Sequence, residues 1–174
     1  MQIRPATPHD LAAIAPIYAH HVLTGLASFE VDPPSAEEML TRFEAIIGAG
    51  YPYLVAEDGE AIVGYAYANY YRTRPAYRHS VEDSIYIAPE AIGRGLGKAL
   101  LTRLIDDCAS RGYRQMLAVI GDSANAGSIG VHRACGFEHA GTLRAIGFKF
   151  GRWVDSVLMQ RALGAGDSSL PPAA

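Results

Sequence analysis

The sequence predicts one mixed α/β (α+β) domain, on three observations. At 174 residues the chain is long enough for one good core and short for two. Period-two segments interleave with apolar faces at helical spacing, a hairpin early and crossover helices later, which calls for a mixed sheet. No internal repeat or linker divides residues 1–163, which form the expected domain; Gly164 to Ala174, rich in Gly, Ser, Pro and Ala, is expected to be a disordered tail.

Taken in order, Ile3 to Ala6 reads as a first strand. Thr7-Pro8-His9-Asp10 is a helix start, with a threonine N-cap, proline at the first helical position and an acid at the third. Leu11, Ile14, Ile17, Tyr18 and Val22 then share one face. A loop from Thr24 to Pro34 carries Phe29 among small and acidic residues. Ser35-Ala36-Glu37-Glu38 is a capping box for a second helix, with Met39, Leu40, Phe43, Ile46 and Ile47 inward and an end near Gly48 or Gly50. Tyr53 to Glu57, the Asp58-Gly59 turn and Ala61 to Tyr71 read as a hairpin.

A polar, basic loop from Arg72 to Arg78 precedes a strand from Val81 to Ile87. After a proline and three alternate glycines, a helix carries Leu96, Leu100, Leu101, Leu104, Ile105 and Cys108, and Gly112 stops it with a left-handed cap. Met116 to Gly121 is nearly continuously apolar, as for a strand covered on both faces. The turn Asp122 to Asn125 leads into a short helix through Ile129, His132 and Cys135, ended by Gly136-Phe137. Two late strands are expected at Phe137–Leu143 and Trp153–Arg161.

The totals exclude several classes. A net charge of −3 gives no reason to expect nucleic acid, and the ten tyrosines lie in predicted elements with no basic groove around them. No apolar run approaches the roughly 18 residues of a membrane span, and the amino terminus lacks a signal-peptide pattern, so a cytoplasmic protein is expected. Cys108 and Cys135 fall in predicted helices without ligand spacing and are expected reduced and buried; no metal is expected.

The chemistry gathers at Ile85 to Leu101. Glycines between a strand and a helix let the backbone approach a ligand where a Cβ would collide. The first-turn amides of the helix have no intrahelical partners and suit a phosphate. Two phosphate loops fail on spelling. Gly97-Lys98-Ala99 lacks the hydroxyl that a P-loop needs, and Lys98 stands where the dinucleotide fingerprint has its third glycine.

Ile92-Gly93-Arg94-Gly95-Leu96-Gly97, with the register Asn125-x-x-Ser128-x-x-x-His132-x-x-x-Gly136-Phe137, resembles the GNAT superfamily of acetyl-CoA-dependent N-acetyltransferases. Ile92 stands where that family's loop has Arg or Gln. More narrowly, the chain resembles the phosphinothricin and methionine-sulfoximine N-acetyltransferase branch from Ile3 to about Gln160, most specifically in Tyr53–Glu57, Val81–Ile87 and Gly147–Asp155. The resemblance implies a mostly antiparallel sheet with helices on both faces, acetyl-CoA as co-substrate, a small-molecule amine as acceptor and a homodimer.

It also implies roles. Glu82 matches the family carboxylate and would be the base that removes a proton from the attacking amine, directly or through water. Ile85, Tyr86 and Ile87 would lie along the acetyl-pantetheine arm, with the Ile87 N–H as oxyanion donor. Gly93, Arg94, Gly95, Leu96, Gly97 and Lys98 would seat the pyrophosphate, mainly by backbone with cationic help from the Arg94 and Lys98 side chains, and Asn125 the pantetheine amides. His132 would donate to the leaving thiolate. Phe29, Arg72, Arg74 and Tyr77 would bind the acceptor, the two arginines pairing with anionic groups, and Trp153 would pack near the substrate or in a dimer contact.

Bland readings stand beside these: a solvated strand glutamate, an N-cap asparagine, an exposed histidine and solvated loop arginines. The leading expectation is direct acetyl transfer to the α-amino group of a small amino acid analogue. The alternatives are a non-catalytic acyl-CoA-binding or sensing module, and a family enzyme acting on a polyamine, an aminoglycoside or a protein N-terminus.

Overall fold

The computed structural model describes residues 1–171; the tail expected from Gly164 is described as far as residue 171, and 172–174 lie outside the described residues. Among the described residues seven strands form one sheet: β1 (Gln2–Pro5), β2 (Tyr53–Asp58), β3 (Ala61–Tyr70), β4 (Ser80–Ile87), β5 (Gln115–Gly121), β6 (Glu138–Lys149) and β7 (Arg152–Ala162). Their order is β1-β2-β3-β4-β5-β7-β6. Every pair is antiparallel except β4 with β5. The α-helices are α1 (Leu11–Thr24), α2 (Ala36–Gly48), α3 (Leu96–Ser110) and α4 (Ala126–Ala134).

Alternation along β4 assigns the helices to the faces. Tyr86 packs edge-on against Tyr18 of α1, ring centroids 4.9 Å apart, and stacks on Tyr65 at 5.3 Å. Asp83, an odd number of residues away, turns to the other face and meets His132 of α4. Most of the tyrosines are thus core: Tyr53, Tyr65 and Tyr67 continue the stack beneath α1 and α2. Leu96, Leu100, Leu101, Leu104 and Cys108 of α3 are fully or nearly fully buried on the opposite face.

Three sequence expectations change in detail. The first helix opens as expected, with Thr7 as N-cap, Pro8 first and Asp10 third, but its opening turn Pro8–Asp10 is 3₁₀, and the Asp10 carboxylate accepts from the Thr7 N–H at 2.7 Å and from Arg4 at 2.8 Å. β5 is not covered on both faces, because Val119 lies 41% exposed at its parted end. The last hairpin runs farther than the expected Leu143, since irregular pairing between Leu143 and Gly147, with Ala145 at φ 50°, breaks the period before β6 resumes. Residues 164–167 form a turn and 168–169 a bend, and the segment is joined to the domain by Arg114, which donates to the Gly166 and Leu170 carbonyls at 3.2 and 3.1 Å.

Candidate active site

The site exists because two neighbouring strands part. β4 and β5 pair only from Ser80↔Gln115 to Asp83↔Ala118, although β4 runs on to Ile87 and β5 to Gly121. The Ala88 N–H bonds the Val63 carbonyl, so by antiparallel alternation the main-chain groups of Ile85 and Ile87 turn away from β3 toward the open edge. His21 Nε2 donates to the Ile87 carbonyl at 2.8 Å and fixes this end of the strand.

A cleft of about 790 Å³ opens there, lined by Ile85 to Ile87, the glycine turn, the start of α3 and Asn125 of the α4 cap. Gly93 and Gly95 hold φ of 83° and 80°, a left-handed backbone that residues with a Cβ adopt at a cost. They turn the chain so that Leu96, Gly97 and Lys98 present the unpaired amides of the first turn of α3 to the cleft. This cradle of glycine backbone, helix N-terminus and unpaired strand edge suits an extended ligand bearing phosphate and amide groups. Lys98 lines it. Arg94 does not: its guanidinium pairs with Asp58 at 2.5 Å and points to the β2–β3 turn. Ile92, 63% exposed, lines the rim, so backbone carries the cradle without a cationic side chain at that place.

A smaller cavity of about 270 Å³ adjoins the cleft, sharing with it Ile85, Tyr86, Gly121, Asn125, Ser128 and His132. Phe29 and Glu82 line its far side. Burial, and then the neighbouring Asp83 charge, push the Glu82 carboxyl up to about 7, where it exchanges a proton near neutrality. Asp83→Asn removes that charge and should lower the Glu82 pKa from about 7, as read by 13C NMR titration of the side-chain carboxyl; an unchanged or higher value would contradict this coupling.

In the sequence Asp83 is legible only as a neighbouring acid on the opposite face. The structure gives it a partner 49 residues away: His132 Nε2 lies 2.9 Å from Asp83 Oδ2, both side chains almost fully buried. His132 Nδ1 donates to the Ser128 carbonyl at 2.7 Å. A carbonyl and a carboxylate both accept, so the two contacts favour the imidazolium form. Burial works against that charge, and the Asp83 hydrogen bond outweighs it, leaving the pKa raised. No spacing rule joins a strand acid to a helix histidine across such a distance. Asn125 caps α4, its side chain accepting from the Ser128 N–H at 3.1 Å, and also lines both spaces.

The remaining acceptor candidates are divided. Phe29 stands in the cavity with Glu82. Arg72, Arg74 and Tyr77 line a separate hollow beyond the start of β4, where the Arg72 guanidinium lies over the Tyr71 ring at 5.1 Å. Neither arginine forms an ion pair among the described residues.

Cys108 and Cys135 are buried and free, and neither lines the cavity or cleft; burial pushes the Cys108 thiol up to about 12. Among the described residues no three His, Cys, Asp or Glu side chains converge as for a metal, and no helix is long and apolar enough to cross a membrane.

Comparison with known proteins places the geometry. Residues 3–158 match the acetyltransferase (GNAT) domain family. The chain is 56% identical over 169 residues to a phosphinothricin N-acetyltransferase of Alcaligenes faecalis, covering 97% of this chain and 86% of that protein. It is 40% identical over 163 residues to an L-methionine sulfoximine/L-methionine sulfone acetyltransferase of Salmonella typhimurium, covering 94% and 95%. A crystal structure of a GNAT superfamily phosphinothricin acetyltransferase from Sinorhizobium meliloti, in complex with AcCoA, superposes with a TM-score of 0.96 at 52% identity, over 98% of this chain and 92% of that one.

Proposed function

We propose that this chain, which belongs to the GNAT acetyltransferase family, transfers the acetyl group of acetyl-CoA to the α-amino group of a small amino acid analogue of the phosphinothricin, methionine sulfoximine or methionine sulfone type. One observation carries the reading: a half-buried carboxyl with a pKa of about 7 lines a small cavity that joins a glycine-floored cleft along an unpaired strand edge. The cleft fits acetyl-CoA as co-substrate. Backbone of Gly93 to Lys98 would hold the pyrophosphate, and Ile85 to Ile87 with Asn125 the pantetheine arm. Acetyl-CoA supplies an activated thioester, so the protein need only deliver a neutral amine and manage protons and charge.

In this reading Glu82 removes the proton of the incoming ammonium, directly or through water. The Ile87 N–H, directed to the open edge, donates to the oxygen on which negative charge develops. His132 stands where cavity and cleft meet and gives the Nε2 proton it shares with Asp83 to the leaving thiolate, keeping its Nδ1 proton on Ser128; the second proton that the nitrogen loses as the amide forms restores Nε2 through water, and Glu82 releases the first to solvent. Phe29 packs against the acceptor, and the two loop arginines draw its anionic groups toward the mouth. The cavity, about 270 Å³, favours a small acceptor over a folded protein terminus.

An acceptor screen with acetyl-CoA tests the reading. Phosphinothricin, methionine sulfoximine and methionine sulfone should be acetylated at the α-amine; transfer to peptides or polyamines alone would overturn the substrate class, and no transfer to any amine would favour a binding module.

A homodimer belongs to the same proposal. Ile146, Phe148, Phe150 and Trp153 at the β6–β7 tip are 57–67% exposed, and Phe148 meets Trp153 edge-on at 5.2 Å. Such an apolar cluster on a soluble domain marks a contact surface, here with a second copy. Light scattering should give twice the chain mass at micromolar protein and the single mass for Trp153→Lys; a monomeric wild type would contradict it.

A further inference from the structure

Lys149 is 4% exposed, yet among the described residues it forms no ion pair. Burying an ammonium is costly unless its donors are satisfied. Here its Nζ donates to two main-chain carbonyls of one segment more than 120 residues earlier, Gly25 at 2.9 Å and Ser28 at 2.7 Å. That segment is the α1–α2 connection, which forms the wall between cleft and cavity and carries Phe29.

Two glycines on the sheet receive the same segment. A Cβ on Gly121 of β5 would collide with the Leu26 carbonyl oxygen, and one on Gly147 of β6 would lie 2.5 Å from Phe29 Cε2. The far side of the segment is tied as well. Ser28 Oγ lies 3.0 Å from the Tyr18 hydroxyl and accepts from the Glu30 N–H at 3.2 Å, and Glu30 pairs with Arg42 of α2 at 2.6 Å. The Lys149 ammonium grips the segment from the sheet side, and it does so on either side of Leu26 and Ala27.

We infer that Lys149 is a positioning residue for the acceptor site: its ammonium, with the Gly121 and Gly147 notches, seats the Gly25–Phe29 segment so that Phe29 lines the cavity together with Glu82. This rests on the acetyl-transfer reading above. The chemistry assigns the consequence to the acceptor more than to acetyl-CoA, whose seat is chiefly β4 and the start of α3. A neutral side chain of similar length leaves the buried Ser28 carbonyl and the part-buried Gly25 carbonyl without that donor, and they must turn toward water and carry the segment outward.

Lys149→Met tests this by two readouts. Hydrogen exchange should quicken about tenfold or more at the amides of residues 25–30 and stay unchanged in α3, since a local opening is made easier without global unfolding. With methionine sulfoximine as acceptor, the acceptor KM should rise about tenfold while the acetyl-CoA KM moves less than about twofold, because a reacting group is misplaced and not removed. Unchanged exchange at residues 25–30, or equal rises in both KM values, would overturn the inference. If wild type acetylates no amino acid analogue, the functional reading fails, and the same exchange experiment still decides whether Lys149 seats the segment. Should the methionine variant not fold, Gly147→Ala presses on Phe29 from the same sheet side; it should raise the acceptor KM in the same selective way, and an unchanged value would overturn the inference.

Discussion

Replacing Glu82 by glutamine should lower kcat for acetyl transfer by about 10²- to 10⁴-fold, the usual contribution of a positioned general base, and leave acetyl-CoA affinity within about twofold, since the cleft floor is backbone remote from that side chain. Stability should move the opposite way. The folded Glu82 has its pKa raised from 4.5 to about 7, so folding favours the protonated carboxyl. Its contribution is fully present below 4.5 and lost as pH rises through about 7. A glutamine stays neutral at every pH. At pH 8 the variant should therefore resist urea better than wild type, by at most roughly 3 kcal/mol. A variant that is inactive and less stable at pH 8 would contradict the assignment of a carboxylate held at a cost for its function. Equilibrium urea unfolding beside steady-state kinetics provides both numbers.

The second large effect falls on His132. Replacing it by leucine leaves the buried Asp83 carboxylate without its partner, and breaking such a pair costs about 3–5 kcal/mol. Asp83 Oδ1 already lacks a hydrogen-bond partner among the described residues, so nothing nearby takes up the loss. The cost should depend on pH with a definite sign. The His132 pKa is raised, so the stability it contributes is fully present below its unfolded value of 6.5 and is lost as pH rises through the raised folded value. Urea unfolding should show the leucine variant most weakened near pH 6 and less so near pH 9. Adding Asp83→Asn to His132→Leu removes the stranded charge and should recover part of the loss. A single variant as stable as wild type at pH 6, or a double variant less stable than the single, would refute the buried pair.

Much of this site is legible in the sequence because its backbone parts are local. A strand, alternate glycines and an apolar helix lie within seventeen successive residues, and each leaves its own mark in the residue pattern. Glu82 and Asn125 stand out only through the family resemblance, since a strand glutamate and an N-cap asparagine are ordinary on their own. What stays hidden is held by contacts across the chain. Asp83 looks like a bystander because its partner is 49 residues away on another helix. Arg94 reads as cationic help for a phosphate because nothing in the loop reveals Asp58, 36 residues earlier, as its partner. Lys149 reads as one letter of a family stretch, since its role lies in two carbonyls of a loop more than 120 residues away. The outer part of the last hairpin escapes because the irregularity between Leu143 and Gly147 breaks the alternation from which strands are read.

The arrangement also explains why the pieces need one another. The cleft requires β4 and β5 to part, and parting exposes the edge of β4 from Ser84 onward. The Asp83–His132 pair spans that point from the α4 side, and the Lys149-held segment borders it from the other. Glu82 sits where the two strands separate, buried enough to hold a proton near neutrality and open enough to pass it on.

The pH dependence of kcat, with methionine sulfoximine and acetyl-CoA both saturating, tests the central claim most directly. Under those conditions kcat reports the ionisation of the bound enzyme. The account predicts an acid limb with a midpoint near the pKa of about 7 assigned to Glu82, absent from the residual activity of Glu82→Gln. A wild-type kcat that stays level down to about pH 5, the range of an ordinary carboxylate, or a Glu82→Gln enzyme with the wild-type limb and rate, would contradict it.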